Sequence, residues 1–390
     1  MQWDYNAAFA ELASGHDDST APIYSGLLEN DEVRRVLVDE TPYEIVMSYD
    51  RVIEAVKNHK ALSSVTPRHG GPRILPLQSD PPEHSGYRRL LNQYFSRSRI
   101  DDVEKRIQPI AAEMLDQMIR RGTADFATEF AYPFPTRALC AFLELPDDDW
   151  VFHHEWVTEL ERLTKDGLSD PEEGVFGALG NVLPYLFRVV AQRREKPGSD
   201  VISGVIAGTI DGRPLDDQEI GNTVIALMMA GHITTTGGVG NLVLRLADDP
   251  QLQAFLRANP DRIPDAVEES LRLDSPQQAM PRKAVRDVDI AGQHIQSGDY
   301  VVLNYGSANV DPAHWPRPDR FDLDRADKRH LAFGRGIHQC VGAPLARMQM
   351  QLVARELLAR TASFELIAPA RRVAWPRLAV ENMQLSFVAA

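Results

Sequence analysis

The chain has 390 residues, 43% of them hydrophobic, enough to bury a large core. Forty-two Lys and Arg against 56 Asp and Glu leave a net charge of −14, which argues against nucleic acid as a partner, because phosphate backbones attract basic surfaces. The only cysteines are Cys140 and Cys340, so no disulfide framework is expected and a reducing cytosol is the natural setting.

Taken in chain order, the sequence begins Met1-Gln2-Trp3-Asp4-Tyr5, without the basic and apolar regions of a signal peptide. Residues 43–48 are a strand candidate. Asp80-Pro81-Pro82-Glu83-His84 opens a helix on which His84 and Arg88 lie one turn apart. Residues 106–121 read as an amphipathic helix, with Ile107, Ile110, Met114 and Met118 on one face and Pro109 near its start. Cys140 has mostly apolar neighbours and reads as structural. A plausible capping box, Asp216 to Glu219, precedes a long apolar helix running to about residue 247. That helix carries Gly231, Gly237, Gly238 and Gly240 beside His232, Thr234, Thr235 and Thr236. Each glycine costs about 1 kcal/mol relative to alanine in a helix interior. Either another helix packs against small residues, or something approaches the backbone closely. The most apolar run, residues 224–231, is far shorter than the roughly 18 residues needed to span a bilayer. Further helices are expected over 263–273 and 343–360, and strands over 285–290 and 300–303. Pro312, Pro316 and Pro318 break regular structure between them. No linker, low-complexity block or repeat divides the chain. Length alone suggests two or three domains, but one large, mainly α domain with minor β over residues 1–390 is open.

The segment from Phe333 to Pro344 carries the strongest chemical signal: Phe333-Gly334-Arg335-Gly336-Ile337-His338-Gln339-Cys340-Val341-Gly342-Ala343-Pro344. Its glycines at 334, 336 and 342 allow left-handed angles and close approach to a flat ligand. Pro344 suits a first helical turn, which puts Cys340 near a helix N-terminus. There the dipole and free N–H groups favour thiolate over thiol. A structural cysteine is the ordinary alternative; a zinc site would need further ligands nearby.

This loop resembles the haem-binding signature of the cytochrome P450 family, in which Phe, Gly, Gly, His, Cys and Gly recur at these spacings. The resemblance runs through nearly the whole chain and is greatest to soluble bacterial members. It implies a single, mainly helical cytochrome P450 domain with small β-sheets, holding a buried haem b. It makes Cys340 the iron ligand and places Phe333, Gly334 and Gly342 in the haem loop. It gives His84, Arg88, Arg282 (just before the strand at 285) and His338 to the haem propionates. It makes Glu269, Arg272 and Arg320, the last from the Pro-rich stretch, a buried ionic triad bracing the loop. Ala230-Gly231-His232-Ile233-Thr234 resembles the oxygen-binding segment, with Ala230 and Gly231 leaving room over the haem and Thr234 bonding the oxygen. The family usually has an acid where this chain has Ile233, which puts the usual proton relay in doubt.

The resemblance further implies a monooxygenase that uses O2 and external electrons. No flavin or iron–sulfur motif is present, so a ferredoxin or flavodoxin with an NAD(P)H-dependent reductase is expected. Arg88, Arg89, Arg97 and Arg335 are expected to form its docking patch. By analogy the substrate pocket draws on residues 65–77, 226–234, 277–280 and 381–383, whose composition suits a small or medium, mostly apolar molecule. A peroxide-using or coupling haem-thiolate enzyme and a non-catalytic haem or ligand sensor are the other readings. The expectation is a cytoplasmic protein with neither nucleic acid nor membrane as partner.

Overall fold

The protein was studied as a computed structural model, which describes residues 24, 27, 28, 32–38, 41–66, 73–165, 171–373 and 377–390. The first five residues and residues 67–72 of the expected pocket lie outside these. The described chain is mainly helical with small sheets, as expected.

Strands β1 (Val33–Val38) and β2 (Thr41–Val46) form a hairpin, followed by helix α1 (Tyr49–Lys57) and the short strand β3 (Leu62–Ser63). Helix α2 spans Glu83–Asn92, and α3 spans Arg97–Arg121. Helix α3 therefore begins nine residues before the 106–121 expected, and Pro109 lies well inside it. The buried stripe explains the length: Ile100, Val103, Ile107, Ala111, Leu115 and Met118 recur every three or four residues. Gly122 closes the helix at φ 79°, the left-handed cap that glycine adopts without strain. Strand β4 (Thr123–Asp125) follows, then α4 (Pro133–Phe142), α5 (Trp150–Lys165), α6 (Pro171–Glu195) and α7 (Val201–Ile206).

After the small hairpin of β5 (Thr209–Ile210) and β6 (Arg213–Pro214), the longest helix, α8, runs Asp217–Asp248. Its capping box forms: the Asp216 carboxylate accepts from Glu219 N at 2.8 Å, and Asp216 N donates to Glu219 Oε2 at 2.9 Å. Helices α9 (Pro250–Ala258) and α10 (Ile263–Leu273) come next. An unexpected strand, β7, spans Ala279–Ala284; of the strand expected over 285–290 only β8, Val288–Ile290, forms, pairing with β9, Gln293–Ile295. Arg282 thus lies inside a strand, not before one. Strand β10 (Tyr300–Asn304) and the single-turn helix α11 (Tyr305–Ala308) lead into the irregular proline segment, and α12 spans Ala343–Arg360. Strands β11 (Thr361–Leu366), β12 (Arg371–Val373), β13 (Ala379–Asn382) and β14 (Gln384–Ala389) end the chain.

The largest sheet has the order β1-β2-β10-β7-β3, with β2 and β10 parallel and the other neighbours antiparallel. Helix α8 packs along α4, α10 and α12 through the main core. A second apolar cluster under the sheet joins Val46, Val52, Leu62, Val301, Leu303, Trp315 and Leu331. Leu331 sits two residues before Phe333, so the cysteine loop is rooted in that cluster.

Candidate active site

The loop between Leu331 and α12 is shaped by its backbone. Gly334 N donates to Leu331 O at 2.8 Å, and Cys340 N donates to Phe333 O at 2.8 Å. Gly334 and Gly336 take φ of 63° and 70°, where other residues are strained. A Cβ on Gly336 would also come within 3.1 Å of the Val56 carbonyl, so the loop rests on the last turn of α1. Gly342 differs from expectation: its φ is −79°, and it caps α12 in ordinary helical geometry. A Cβ there would meet Cys340 Sγ at 3.7 Å, an ordinary contact, so the space beside the sulfur does not itself demand glycine.

Cys340 is exposed at its surface, while protein atoms surround its sulfur. Burial pushes the Cys340 thiol up, while the N–H groups of Gly342 and Ala343 and the charges of Arg88 and Arg347 work against that rise. Helix-start amides and flanking cations are the surroundings a metal-bound thiolate requires.

Four further side chains gather beside this loop. His84 and Arg88 come from α2, Arg282 from the middle of the large sheet, and His338 from the loop; the His84 and His338 rings lie 4.1 Å apart. Burial, then the Arg88 charge, lowers His84 to about 4. Burial, then Arg282 and His84, lowers His338 to about 2. His338 Nε2 is buried without a hydrogen-bond partner. Nitrogen donors crowd together here, and among the described residues Asp80 is the carboxylate felt most at His84. Such a donor set fits an anionic group, and the two carboxylates of a haem match it in charge and number. His59, in the turn after α1, adds a third imidazole felt by both histidines. It belongs to no motif, so the sequence offered no signal for it.

Along α8, Ala230 is exposed among mostly buried neighbours, and Thr234 Oγ1 donates to its carbonyl at 3.1 Å. Gly231 does not leave room on that side. A Cβ there would meet Leu139 Cδ1 at 2.8 Å, so this glycine lets α4 close on α8. Gly237 and Gly238 similarly accommodate Leu378 O and Met350 Sδ, at 2.9 and 3.0 Å. Gly231, Gly237 and Gly238 are packing positions. His232 is fully buried, with Nδ1 bonded to the Thr136 hydroxyl of α4, and its ring is 5.9 Å from that of His154 on α5. Burial, then His154, lowers its pKa to about 3. Ile233 beside it is partly buried against the core. Of the expected pocket segments, 381–383 is tied elsewhere: Glu381 pairs with Arg371 at 3.0 Å, and Asn382 donates to Asp125 at 2.6 Å. Met383 is wholly buried.

The ionic triad forms with a different third member. Arg272 clasps Glu269 through bonds of 2.9 and 2.8 Å, and the second guanidinium is that of Arg325, at 3.0 and 3.2 Å. Arg320 is exposed and supplies only its carbonyl, which accepts from Arg272 at 3.0 Å and Arg325 at 3.1 Å. The proline segment turns back over Trp315, whose ring lies 5.4 Å from the Arg272 guanidinium and 5.8 Å from that of Arg325. That turn brings residue 325, not 320, to the buried carboxylate. Arg272 also bonds Asn309 O at 2.8 Å, while Asn309 Oδ1 accepts from Leu331 N at 2.6 Å. The triad is therefore wired to the base of the cysteine loop. The docking patch is also corrected. Arg88 faces the site with Cys340 and His84 instead of the surface, whereas Arg89 and Arg97 are exposed.

The mainly helical fold, the cysteine just before a helix start and the two arginines and two imidazoles beside it fit a haem-thiolate protein. Comparison with known proteins agrees. Residues 187–370 match the family model described as cytochrome P450. The chain is 32% identical over 377 residues to the mycinamicin IV hydroxylase/epoxidase of Micromonospora griseorubida, covering 92% of each chain. It is 30% identical over 370 residues to cytochrome P450 130 of Mycobacterium tuberculosis, covering 91% of this chain and 90% of the relative. The crystal structure of CYP108D1 from Novosphingobium aromaticivorans superimposes with a TM-score of 0.86 at 30% identity, covering 95% of this chain and 94% of that one. The chain belongs to the cytochrome P450 family. It is a monooxygenase of that family with a haem-iron cofactor, which sets aside the sensor reading. Among the described residues no helix is long and apolar enough to cross a membrane.

Proposed function

We propose that residues 1–390 form one cytoplasmic domain in which Cys340 holds the iron of haem b and a small or medium, mostly apolar molecule is oxidised. When bound, the haem supplies activation of O2 by electrons delivered from outside the chain. The observation that carries this reading is the convergence of Cys340, just before the first turn of α12, and the His84, Arg88, Arg282 and His338 clamp. The clamp residues bind and orient the propionates. Phe333 and Gly334 shape the loop, and Gly342 caps α12 beside the sulfur. Glu269, Arg272 and Arg325 brace the loop and touch no reacting group. Thr234 offers a hydroxyl that can both accept and donate, on the stretch of α8 where Ala230 is exposed. Electrons come from a ferredoxin or flavodoxin served by an NAD(P)H-dependent reductase.

The ferrous–CO spectrum tests the ligand. Thiolate ligation gives a strongly red-shifted Soret band, which Cys340→His loses and Cys140→Ser keeps. Burial pushes the Cys140 thiol up to about 12, as suits a structural cysteine. The reverse pattern would refute the assignment.

One observation favours a second reading, in which peroxide is the oxidant or the product is a coupling or rearrangement. Ile233 has no proton to give, and His232 is turned onto Thr136. Product formed with hydrogen peroxide alone, at a rate matching that with surrogate redox partners, would support it.

A further inference from the structure

Behind the Cys340 loop lies a charged group of which only Arg347 has entered the description above. Arg347 stands one turn into α12, just after the two amides directed at the sulfur. Its guanidinium carbon is 4.4 Å from the centroid of the Phe333 ring, and Phe333 is the residue whose carbonyl accepts the Cys340 N–H. Glu268, on α10, holds that guanidinium with two parallel bonds of 2.6 and 2.7 Å. His330 completes the group. Its Nδ1 accepts from Ala332 N at 3.2 Å, which leaves the ring proton on Nε2, 3.1 Å from Glu268 Oε2. Burial raises the Glu268 carboxyl, but the His330 and Arg347 bonds outweigh it and hold the group at about 2. Both ends of the pair are therefore charged across the working pH range. A fixed positive charge, fixed in turn by a negative one, acts on the ligand sulfur.

The two charges have opposite effects on that sulfur. A cation near a thiolate stabilises its negative charge and weakens its donation to a metal; a nearby anion opposes this. Arg347 is a third exposed, and ion pairs in that setting add little stability. The bidentate geometry and the stacking on Phe333 fix the position of the charge instead.

We propose that Arg347 and Glu268 are positioning residues that set the donor strength of Cys340, Arg347 by withdrawing charge from the sulfur and Glu268 by offsetting that withdrawal. The proposal rests on Cys340 being the iron ligand. The test uses haem-loaded protein and measures the midpoint reduction potential by dye titration, with the ferrous–CO spectrum recorded for every variant. Glu268→Gln leaves Arg347 uncompensated, so the iron becomes easier to reduce and the potential moves positive. Arg347→Gln leaves Glu268 uncompensated, so the potential moves negative. The double variant returns toward the starting value. If a Gln variant does not retain haem, Glu268→Ala and Arg347→Met carry the test, because each deletes the same charge with a different side chain. Their shifts should keep the signs of the Gln variants. Equal-sign shifts, or no shift, in variants that keep the red-shifted CO band would overturn the proposal. Absence of that band from the unmodified protein would instead overturn the thiolate reading itself.

Discussion

At the scale of single residues, the proton route proposed for Thr234 turns on what its neighbour Ile233 lacks. A proton donor works only within hydrogen-bond reach, directly or through one water. Ile233 has none to give, and His232, wholly buried and bonded to Thr136, is aimed at α4. The Thr234 hydroxyl is held by the Ala230 carbonyl at 3.1 Å, leaving its oxygen free to accept. Thr234→Ala should therefore lower the product formed per NADPH several-fold. Ile233→Glu should raise that ratio with poor substrates and change it little with the native one, whose own polar group then supplies the missing donor. If Thr234→Ala leaves coupling intact with every productive substrate, the hydroxyl has no essential part in oxygen activation.

At the scale of elements, the brace behind the loop makes two arginines five residues apart very unequal. Arg325 is buried against Glu269, while Arg320 is exposed and contributes a carbonyl. Removing one partner of a buried ionic network costs about 3–5 kcal/mol, because a charge is stranded. Arg325→Ala should give haem-poor protein with a clearly lowered melting temperature, whereas Arg320→Ala should stay within about 0.5 kcal/mol of the parent. Equal effects in thermal melts would contradict the assignment. This pair also marks where the sequence stops being legible. Helices with strong periodicity or caps, such as Ile263–Leu273, Ala343–Arg360 and the one begun by Asp216, were readable because local chemistry sets their ends. The loop at Cys340 was readable for the same reason. The irregular proline segment has no period, so only the fold reveals which arginine it turns inward. Gly231 was misread because a small residue looks the same whether a cofactor or Leu139 fills the space beside it. Strand β7 went unseen because Pro281, Arg282 and Lys283 interrupt its apolar pattern.

At the scale of the whole molecule, buried imidazoles tie stability to pH. His153 is pushed down to about 4 and His232 to about 3, in both cases first by burial. Groups around them include His154, Arg377 and Asp149. In the unfolded chain each histidine takes up a proton near 6.5, whereas in the folded protein it stays neutral until far lower pH. The unfolded state thus binds more protons in that window, and stability rises with pH. Stability should be flat above 6.5 and fall below it by about 1.4 kcal/mol per pH unit per histidine. Denaturant titrations from pH 7 to 5 measure this, and His232→Asn should remove one histidine's share of the slope. A slope unchanged in His232→Asn would contradict this account of its burial. Charge also governs the approach of the electron donor. The chain carries −14 overall, so an acidic donor needs a local basic patch, for which Arg89, Arg97 and Arg335 remain. Arg335→Glu should slow reduction at low salt, and added salt should narrow the difference. Reduction rates insensitive to both would dismiss the patch.

The parallel ladder that sets Tyr300 opposite Tyr43 has a consequence for how the protein is made. A ribosome releases β2 roughly 250 residues before the strand that will flank it, a wait of about ten to fifty seconds at ordinary elongation rates. Throughout that time one edge of β2 has no neighbour, and Ile45 and Val46, which end fully buried, have no core to enter. Such an edge is what chaperones shield and what aggregates recruit. The same delay separates the arrival of His84 and Arg88 from that of Cys340, so the residues assigned to haem assemble only as the last sixth of the chain emerges. On that assignment haem is captured late, on a nearly finished polypeptide, and shielding the waiting N-terminal strands from other partners should raise the yield of loaded protein.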